Sequence, residues 1–225
     1  MMIGELSKKE INEMLDILSQ TYPEAECALD HGSIYQLLVA VVLSAQTTDK
    51  SVNRVTPAFF AKYPNAESLS RVATADEEAA IAEVSEFIRS IGMYRTKAKN
   101  VVRLAQKLMA DYGGEVPQDF EKLQELPGVG RKTANVVLAV GFGENRMPVD
   151  THVLRVSHRI GLVTEKDAGL KDALATEKAL LEVIPKERLT EAHHSLIFHG
   201  RNYCDAKRPQ CDDCPINQIC KRHGV

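Results

Sequence analysis

Apolar residues recur three and four positions apart along nearly the whole of this sequence, and no stretch alternates with the period of two that a half-buried strand requires. A chain patterned this way buries its apolar faces by packing helix on helix. Ser7-Lys-Lys-Glu10 reads as a capping box, with Ile11, Met14, Leu15 and Leu18 forming one apolar stripe behind it. Thr74-Ala-Asp-Glu77 reads as a second box, followed by Ile81, Val84 and Ile88 and stopped near Gly92. Ala98, Val101, Val102, Ala105 and Leu108 mark a helix ended by Gly113-Gly114. Further helices are expected over residues 131–142, 151–160, 167–183 and 189–199. Segment 34–45 is apolar on all sides and carries three valines, which would also suit a buried strand. Its length and the lack of any partner strand favour a central buried helix. The expected fold class is all-α.

At 225 residues the chain can build one large domain or two modest ones. Its first residues, from Met1-Met2, show no basic region leading into an apolar stretch, so no secretory signal is expected. The longest apolar run, Leu37 to Leu43, is too short to span a bilayer. A soluble intracellular protein is the expectation. A formal net charge of −3 excludes coating of nucleic acid by bulk charge. Residues 1–30 carry seven acids and two lysines (net −5), whereas residues 127–160 carry five Lys or Arg against two acids (net +3). The basic sector suits local phosphate contact; solvated helix faces would give the same count.

The densest chemistry lies in Leu126-Pro-Gly-Val-Gly-Arg-Lys-Thr-Ala-Asn-Val-Val137. A short helix over 119–125 stops at Pro127, Gly128 and Gly130 permit backbone conformations closed to other residues, and a second helix starts at once. Such a turn points backbone N–H groups outward at a helix N-terminus, where they can hold a phosphate without reading a base. A tight connection between helices would use the same residues, but Arg131 and Lys132 tilt the balance toward phosphate. Lys132 stands in the first turn beside Arg131, where helix dipole and neighbour both disfavour an ammonium. A lysine with a depressed pKa can attack a carbon such as a sugar C1′ or a carbonyl. A lysine gripping phosphate fits the same position. Asp150, taken alone, is an N-cap for the helix that begins at Thr151.

Of five cysteines, four crowd the C-terminal end as Cys204-x6-Cys211-x2-Cys214-x5-Cys220. In an intracellular protein this points to metal rather than disulfides. Four thiolates suit tetrahedral zinc or an iron–sulfur cluster, and only the middle pair has the close spacing of a zinc ribbon. Cys27 fits no ligand spacing and reads as an ordinary semi-buried residue. His193, His194 and His199 lie near the cysteines and are assigned to packing or capping, since four thiolates complete a site.

Several segments together resemble the endonuclease III family. They are Leu43-Ser-Ala-Gln46, Ile91-Gly-Met-Tyr94, Gly114-Glu-Val-Pro117, Leu126 to Asn135, Val149-Asp-Thr-His-Val153 and the x6-x2-x5 cysteines, in order along nearly the whole chain. The resemblance implies a two-lobed helix-hairpin-helix DNA glycosylase fold with a C-terminal [4Fe–4S] cluster loop. It implies a helical barrel domain over 27–144, with the hairpin at about 119–142, and a cluster domain of 1–26 plus 145–225. Lys132 becomes the nucleophile and Asp150 the catalytic carboxylate, facing each other across a cleft. Gly128, Val129, Gly130, Arg131 and Thr133 become backbone contacts to DNA. Cys204, Cys211, Cys214 and Cys220 become ligands of a [4Fe–4S] cluster, with Lys207 and Arg208 presented to phosphates from the loop between the first two. Gln46 becomes a side chain inserted into the duplex and Met93 a second wedge, where the family commonly has leucine.

The implied activity is excision of oxidised pyrimidines through a Lys132 imine, followed by cleavage 3′ to the abasic site by β-elimination. The implied partner is double-stranded DNA carrying damaged bases or abasic sites. The protein is expected to be a prokaryotic cytoplasmic monomer without membrane association. Two rivals stand beside this. An adenine-mismatch glycosylase characteristically lacks the lysine and carries an extra C-terminal domain, while this chain stops five residues after its last cysteine. A non-catalytic DNA-binding iron–sulfur protein would use the hairpin for phosphate alone.

Overall fold

Ser7 opens the first helix, α1 (Lys8–Thr21), through a complete capping box: its hydroxyl accepts from Glu10 N, and the Glu10 carboxylate accepts from Ser7 N at 2.7 Å. The expected stripe of Ile11, Met14, Leu15 and Leu18 is the buried face. The computed structural model describes residues 3–225; Met1 and Met2, the first residues of the segment read for a secretory signal, lie outside them. Among the described residues there are eleven α-helices, one 3-10 turn and no strand. No described helix is long and apolar enough to cross a membrane.

The chain forms two compact units, Ala28–Gly143 and the described part of Met1–Cys27 together with Glu144–Val225. The first unit is built on α2 (Ile34–Leu43), which buries eight of its ten residues. The all-round apolar segment is therefore a central helix, started by Ser33, whose hydroxyl accepts from Gln36 N. Around it stand α3 (Asp49–Lys62), α4 (Ala66–Ala75), α5 (Glu77–Phe87), α6 (Tyr94–Tyr112), α7 (Phe120–Gln124) and α8 (Arg131–Phe142). Close approach of α8 to α2 depends on Gly141, where a Cβ would stand 3.1 Å from Leu37 Cδ2 and 3.2 Å from Ile34 Cγ2. Phe59, Tyr63 and Phe87 pack as tilted or edge-on rings between α3 and α5.

The second unit joins α1 to α9 (Thr151–Ile160), α10 (Ala173–Val183), the 3-10 turn Lys186–Arg188 and α11 (Leu189–Asn202), followed by a non-helical tail. Leu18, Val153, Val156, Leu180 and Leu196, all fully buried, form its core, and Cys204, Cys214 and Cys220 pack against that core. Each such Val or Leu contributes about 1.5–3 kcal/mol by leaving water.

The structure departs from the sequence expectations in three places. Thr74 does not cap α5; it lies inside α4 and donates to Ser70 O at 2.8 Å. The cap is Asp76, whose Oδ1 accepts from Ala79 N at 3.0 Å, so one residue ends α4 and starts α5. The helix expected from residue 167 begins instead at Ala173 behind Asp172. Asp167 Oδ2 accepts from Gly4 N, Thr164 N and Thr164 Oγ1 at 2.7–2.9 Å, which ties down a turn rather than starting a helix. Helices α3 and α4 lie where no helix had been assigned, and Pro57 interrupts the hydrogen bonding inside α3.

Candidate nucleic-acid interface and catalytic residues

The hairpin is held from within. Asp119 Oδ1 accepts from Lys122 N at 2.9 Å and starts the five-residue α7. Leu126 N donates to Leu123 O and Val129 N donates to Leu126 O, both at 3.1 Å, while the Leu126 and Val129 side chains are buried. Val129 therefore fastens the turn, and its N–H points inward. Gly128 has φ +81°, a region costly for residues with a Cβ, and an added Cβ would stand 3.0 Å from Asn100 Nδ2 and from Val42 Cγ1. Gly130 differs from expectation: its φ of −99° is open to any residue, and nothing lies within 4 Å of where its Cβ would be. Freedom of approach at that surface, not backbone strain, is what glycine supplies there.

Gly130 is the N-cap of α8 and makes no side-chain cap bond; the first bonded helical amide is Ala134 N, to Gly130 O at 2.9 Å. The earlier amides of the turn, at Lys132 and Thr133, are thus left facing the helix end, as an anion site requires. The Arg131 guanidinium lies over the Phe120 ring, 4.9 Å from its centre. Lys132 is exposed, with no hydrogen bond or ion pair among the described residues; Thr133 is half-buried.

Gln46 and Met93 are both exposed and both have left-handed backbones, with φ of 52° and 54°. Arg222 is the third such non-glycine residue among those described. Each costs on the order of 1–2 kcal/mol, strain that structures hold mainly at working sites. The two loops adjoin: a Cβ at Gly92 would lie 3.8 Å from Gln46 O and 3.9 Å from Thr47 Oγ1. Sequence reasoning missed Lys97, a buried lysine on α6 that donates to Thr47 Oγ1 at 2.7 Å. The signal was present, a cation on the apolar face beside Ala98, Val101 and Val102.

In the other unit, Asp150 caps α9, its Oδ1 accepting from His152 N and Val153 N at 2.8 Å each. That fixes one carboxylate oxygen and leaves the other without a hydrogen bond among the described residues. The basic sector read from the sequence is largely spent inside this unit. Arg146 pairs with Glu144 at 2.6 Å. Arg155 donates to Gly200 O and Cys204 O at 3.0 Å, and Arg159 to Asp205 O at 2.7 Å and Ala206 O at 3.0 Å. One turn apart on α9, these two arginines clamp the start of the cysteine loop, a role the sequence reading had not assigned. Within that loop Asp205 Oδ1 accepts from Lys207 N and Arg208 N at 2.9 and 3.1 Å, and both cationic side chains are exposed.

Cys204, Cys211, Cys214 and Cys220 together line one pocket, part of it open to solvent, with Arg159, His199 and Tyr203. Among the described residues, no three His, Cys, Asp or Glu side chains converge as a site for a single ion. Burial, with a smaller push from the neighbouring cysteines, raises the Cys214 thiol to about 11, and burial raises Cys220 as well. His199 is buried, with its Nδ1 3.2 Å from the Tyr22 hydroxyl and its ring stacked on Tyr203; burial pulls it down to about 4. Cys27 is not among the residues lining the cavity.

Residues 39–186 match the HhH-GPD superfamily base excision DNA repair protein model. The chain is 46% identical to endonuclease III of Bacillus subtilis (strain 168), over 96% of this chain and 94% of that protein. It is 39% identical to endonuclease III of Escherichia coli (strain K12), over 96% and 97% respectively. The fold is similar to a trapped endonuclease III–DNA covalent intermediate in an estranged-adenine complex, with TM-score 0.86, 44% identity and 97% coverage of both chains. A non-covalent endonuclease III–DNA complex is matched at TM-score 0.85 with the same identity and coverage.

Proposed function

Because the chain belongs to the HhH-GPD base excision DNA repair proteins, and within them to endonuclease III, we propose that it is a DNA glycosylase with AP lyase activity acting on oxidised pyrimidines. The observation that carries the lyase reading is Lys132, exposed and unpaired in the first turn of the helix that follows the phosphate-binding hairpin. Its substrate is double-stranded DNA with a damaged base or abasic site, met by a monomer in the cytoplasm of a prokaryotic cell.

Reaching the sugar requires the damaged nucleotide to leave the stack. Gln46 enters the gap, its amide both donating to and accepting from the orphaned base, and Met93 supplies the apolar wedge. Gly130, Arg131, Thr133 and the backbone amide of Lys132 take up phosphate at the N-terminus of α8, leaving the Lys132 amine free, with Gly128 and Val129 holding the turn in shape. Lys207 and Arg208 add two cations from the cysteine loop.

The Lys132 amine then attacks C1′. The N–C1′ bond forms, the glycosidic bond breaks, and the base leaves with its electron pair, to be protonated as it departs. Opening of the sugar gives an imine. Loss of a C2′ proton expels the 3′ phosphate by β-elimination and cuts the strand, and water then hydrolyses the remaining imine, freeing the Lys132 amine and leaving an unsaturated aldehyde on the 3′ end. The unbonded oxygen of Asp150 assists loss of the amine proton and stabilises positive charge growing on the sugar. Its capping bonds hold it rigid for both tasks.

The four C-terminal cysteines fit a [4Fe–4S] cluster by donor type and by lining one pocket together. Held by Cys204, Cys211, Cys214 and Cys220, such a cluster would supply cross-links that fix the loop bearing Lys207 and Arg208. The test is incubation with duplex DNA containing one abasic site. Strand cleavage leaving an unsaturated aldehyde on the 3′ end supports the reading, and an intact strand assigns the protein to binding alone.

A further inference from the structure

Lys97 is a charge placed where it is costly. It lies in the first turn of α6 at 3% exposure, and its ammonium has one hydrogen-bond partner, Thr47 Oγ1 at 2.7 Å. No described carboxylate pairs with it, and burial lowers its pKa. An apolar side chain would fill the same volume without that cost. The position explains what the charge does there. Lys97 N donates to Met93 O at 3.0 Å, so the main chain of this residue anchors Met93. Its side chain reaches Thr47, the neighbour of Gln46, and Thr47 N donates to Ser44 O at 3.0 Å. One residue thus ties together the only two loops of this unit whose non-glycine residues are held at positive φ, Gln46 and Met93.

Resting on the glycosylase reading above, we propose that Lys97 is a positioning residue for nucleotide extrusion. It locks the Gln46–Thr47 turn to the Met93 loop, so that both side chains enter the duplex as one rigid wedge. Lys97 touches neither the sugar nor the base.

The test compares single-turnover excision on two duplexes carrying the same oxidised pyrimidine. In one the lesion is paired; in the other the opposite nucleotide is deleted, so no orphan base awaits Gln46. Lys97→Met removes the donor and keeps the apolar stem, while Thr47→Val removes the acceptor at nearly constant shape. Each variant is expected to lower the paired-to-bulged rate ratio on the order of tenfold. Lys97→Arg should restore part of it, and the double variant should be no worse than the poorer single. An unchanged ratio in both variants overturns the proposal even if absolute rates fall, since a merely structural lysine slows both substrates alike. Should Lys97→Met fail to fold, Thr47→Val decides by the same ratio. Wild-type protein that processes neither duplex and leaves abasic DNA intact refutes the glycosylase reading instead.

Discussion

Replacing each hairpin glycine by alanine separates what holds the turn from what the turn holds. At Gly128 the backbone φ of +81° carries a cost of about 1–2 kcal/mol for any residue with a Cβ. The new methyl would also stand 3.0–3.1 Å from Asn100 Nδ2, Asn100 Cβ and Val42 Cγ1, overpacking that adds roughly 1–3 kcal/mol. Val42 is buried in α2 and has little room to yield, whereas the Asn100 amide can swing, so the expected loss is about 2–4 kcal/mol. At Gly130 neither cost arises, because φ is −99° and nothing lies within 4 Å. Alanine is a poorer N-cap than glycine, but it restricts the unfolded chain, and the net change should stay within about 1 kcal/mol. Its methyl instead occupies the face that the proposed function offers to phosphate, and should weaken binding to abasic DNA on the order of tenfold. Urea unfolding curves and salt-controlled binding titrations read the two effects separately. Equal stability loss in both variants, or Gly128→Ala as stable as wild type, would refute this division of labour.

Asp150 caps α9 and, in the proposed function, is also a catalytic carboxylate, and substitution can divide the two. Asp150→Ala should cost about 1–2 kcal/mol of stability; Asp150→Asn should keep the cap yet slow single-turnover excision about 100-fold. An asparagine variant with the wild-type rate would remove the carboxylate from the chemistry. Asp167 is raised by burial, but the bonds from the Thr164 hydroxyl, Gly4 N–H and Thr164 N–H outweigh that and hold its pKa below the ordinary carboxylate value. Its folded pKa being the lower, its stabilisation is complete above the unfolded value of about 3.9 and is lost as pH falls through the folded one. Stability of wild type against Asp167→Asn should therefore converge in that acid window, and parallel curves would contradict the assignment. Purified protein should carry about four iron atoms and four acid-labile sulfides per chain. Serine at Cys204, Cys211, Cys214 or Cys220 should lower both, serine at Cys27 should not, and zinc in place of iron would reject the cluster.

Much of the fold was legible because local rules and tertiary packing agree. Residues 131–142 and 151–160 are helices with the bounds their caps announced, Gly130 and Asp150 before them and left-handed Gly143 and Gly161 after. Two of the three departures fall where one carboxylate outcompetes another signal. Asp76 caps better than Thr74, and Asp167 binds a long-range partner, Gly4, that no local pattern reveals. At the candidate site, residue identities could be named from the sequence but not the state of their backbones. The inward N–H of Val129, the ordinary φ of Gly130 and the left-handed φ of Gln46 and Met93 depend on how the loops pack. Charge counting over residues 127–160 could not show that Arg146, Arg155 and Arg159 face carbonyls and a carboxylate of their own unit.

The claim on which the lyase chemistry depends is a covalent bond between Lys132 Nζ and sugar C1′. Borohydride added during turnover on abasic DNA reduces an imine to a stable amine, and peptide mapping of the cross-linked protein locates the attached residue. The account predicts an adduct on Lys132 in wild type and none in Lys132→Ala, with the variant still binding the DNA. A trapped adduct in Lys132→Ala, or one mapped to another residue in wild type, would contradict it.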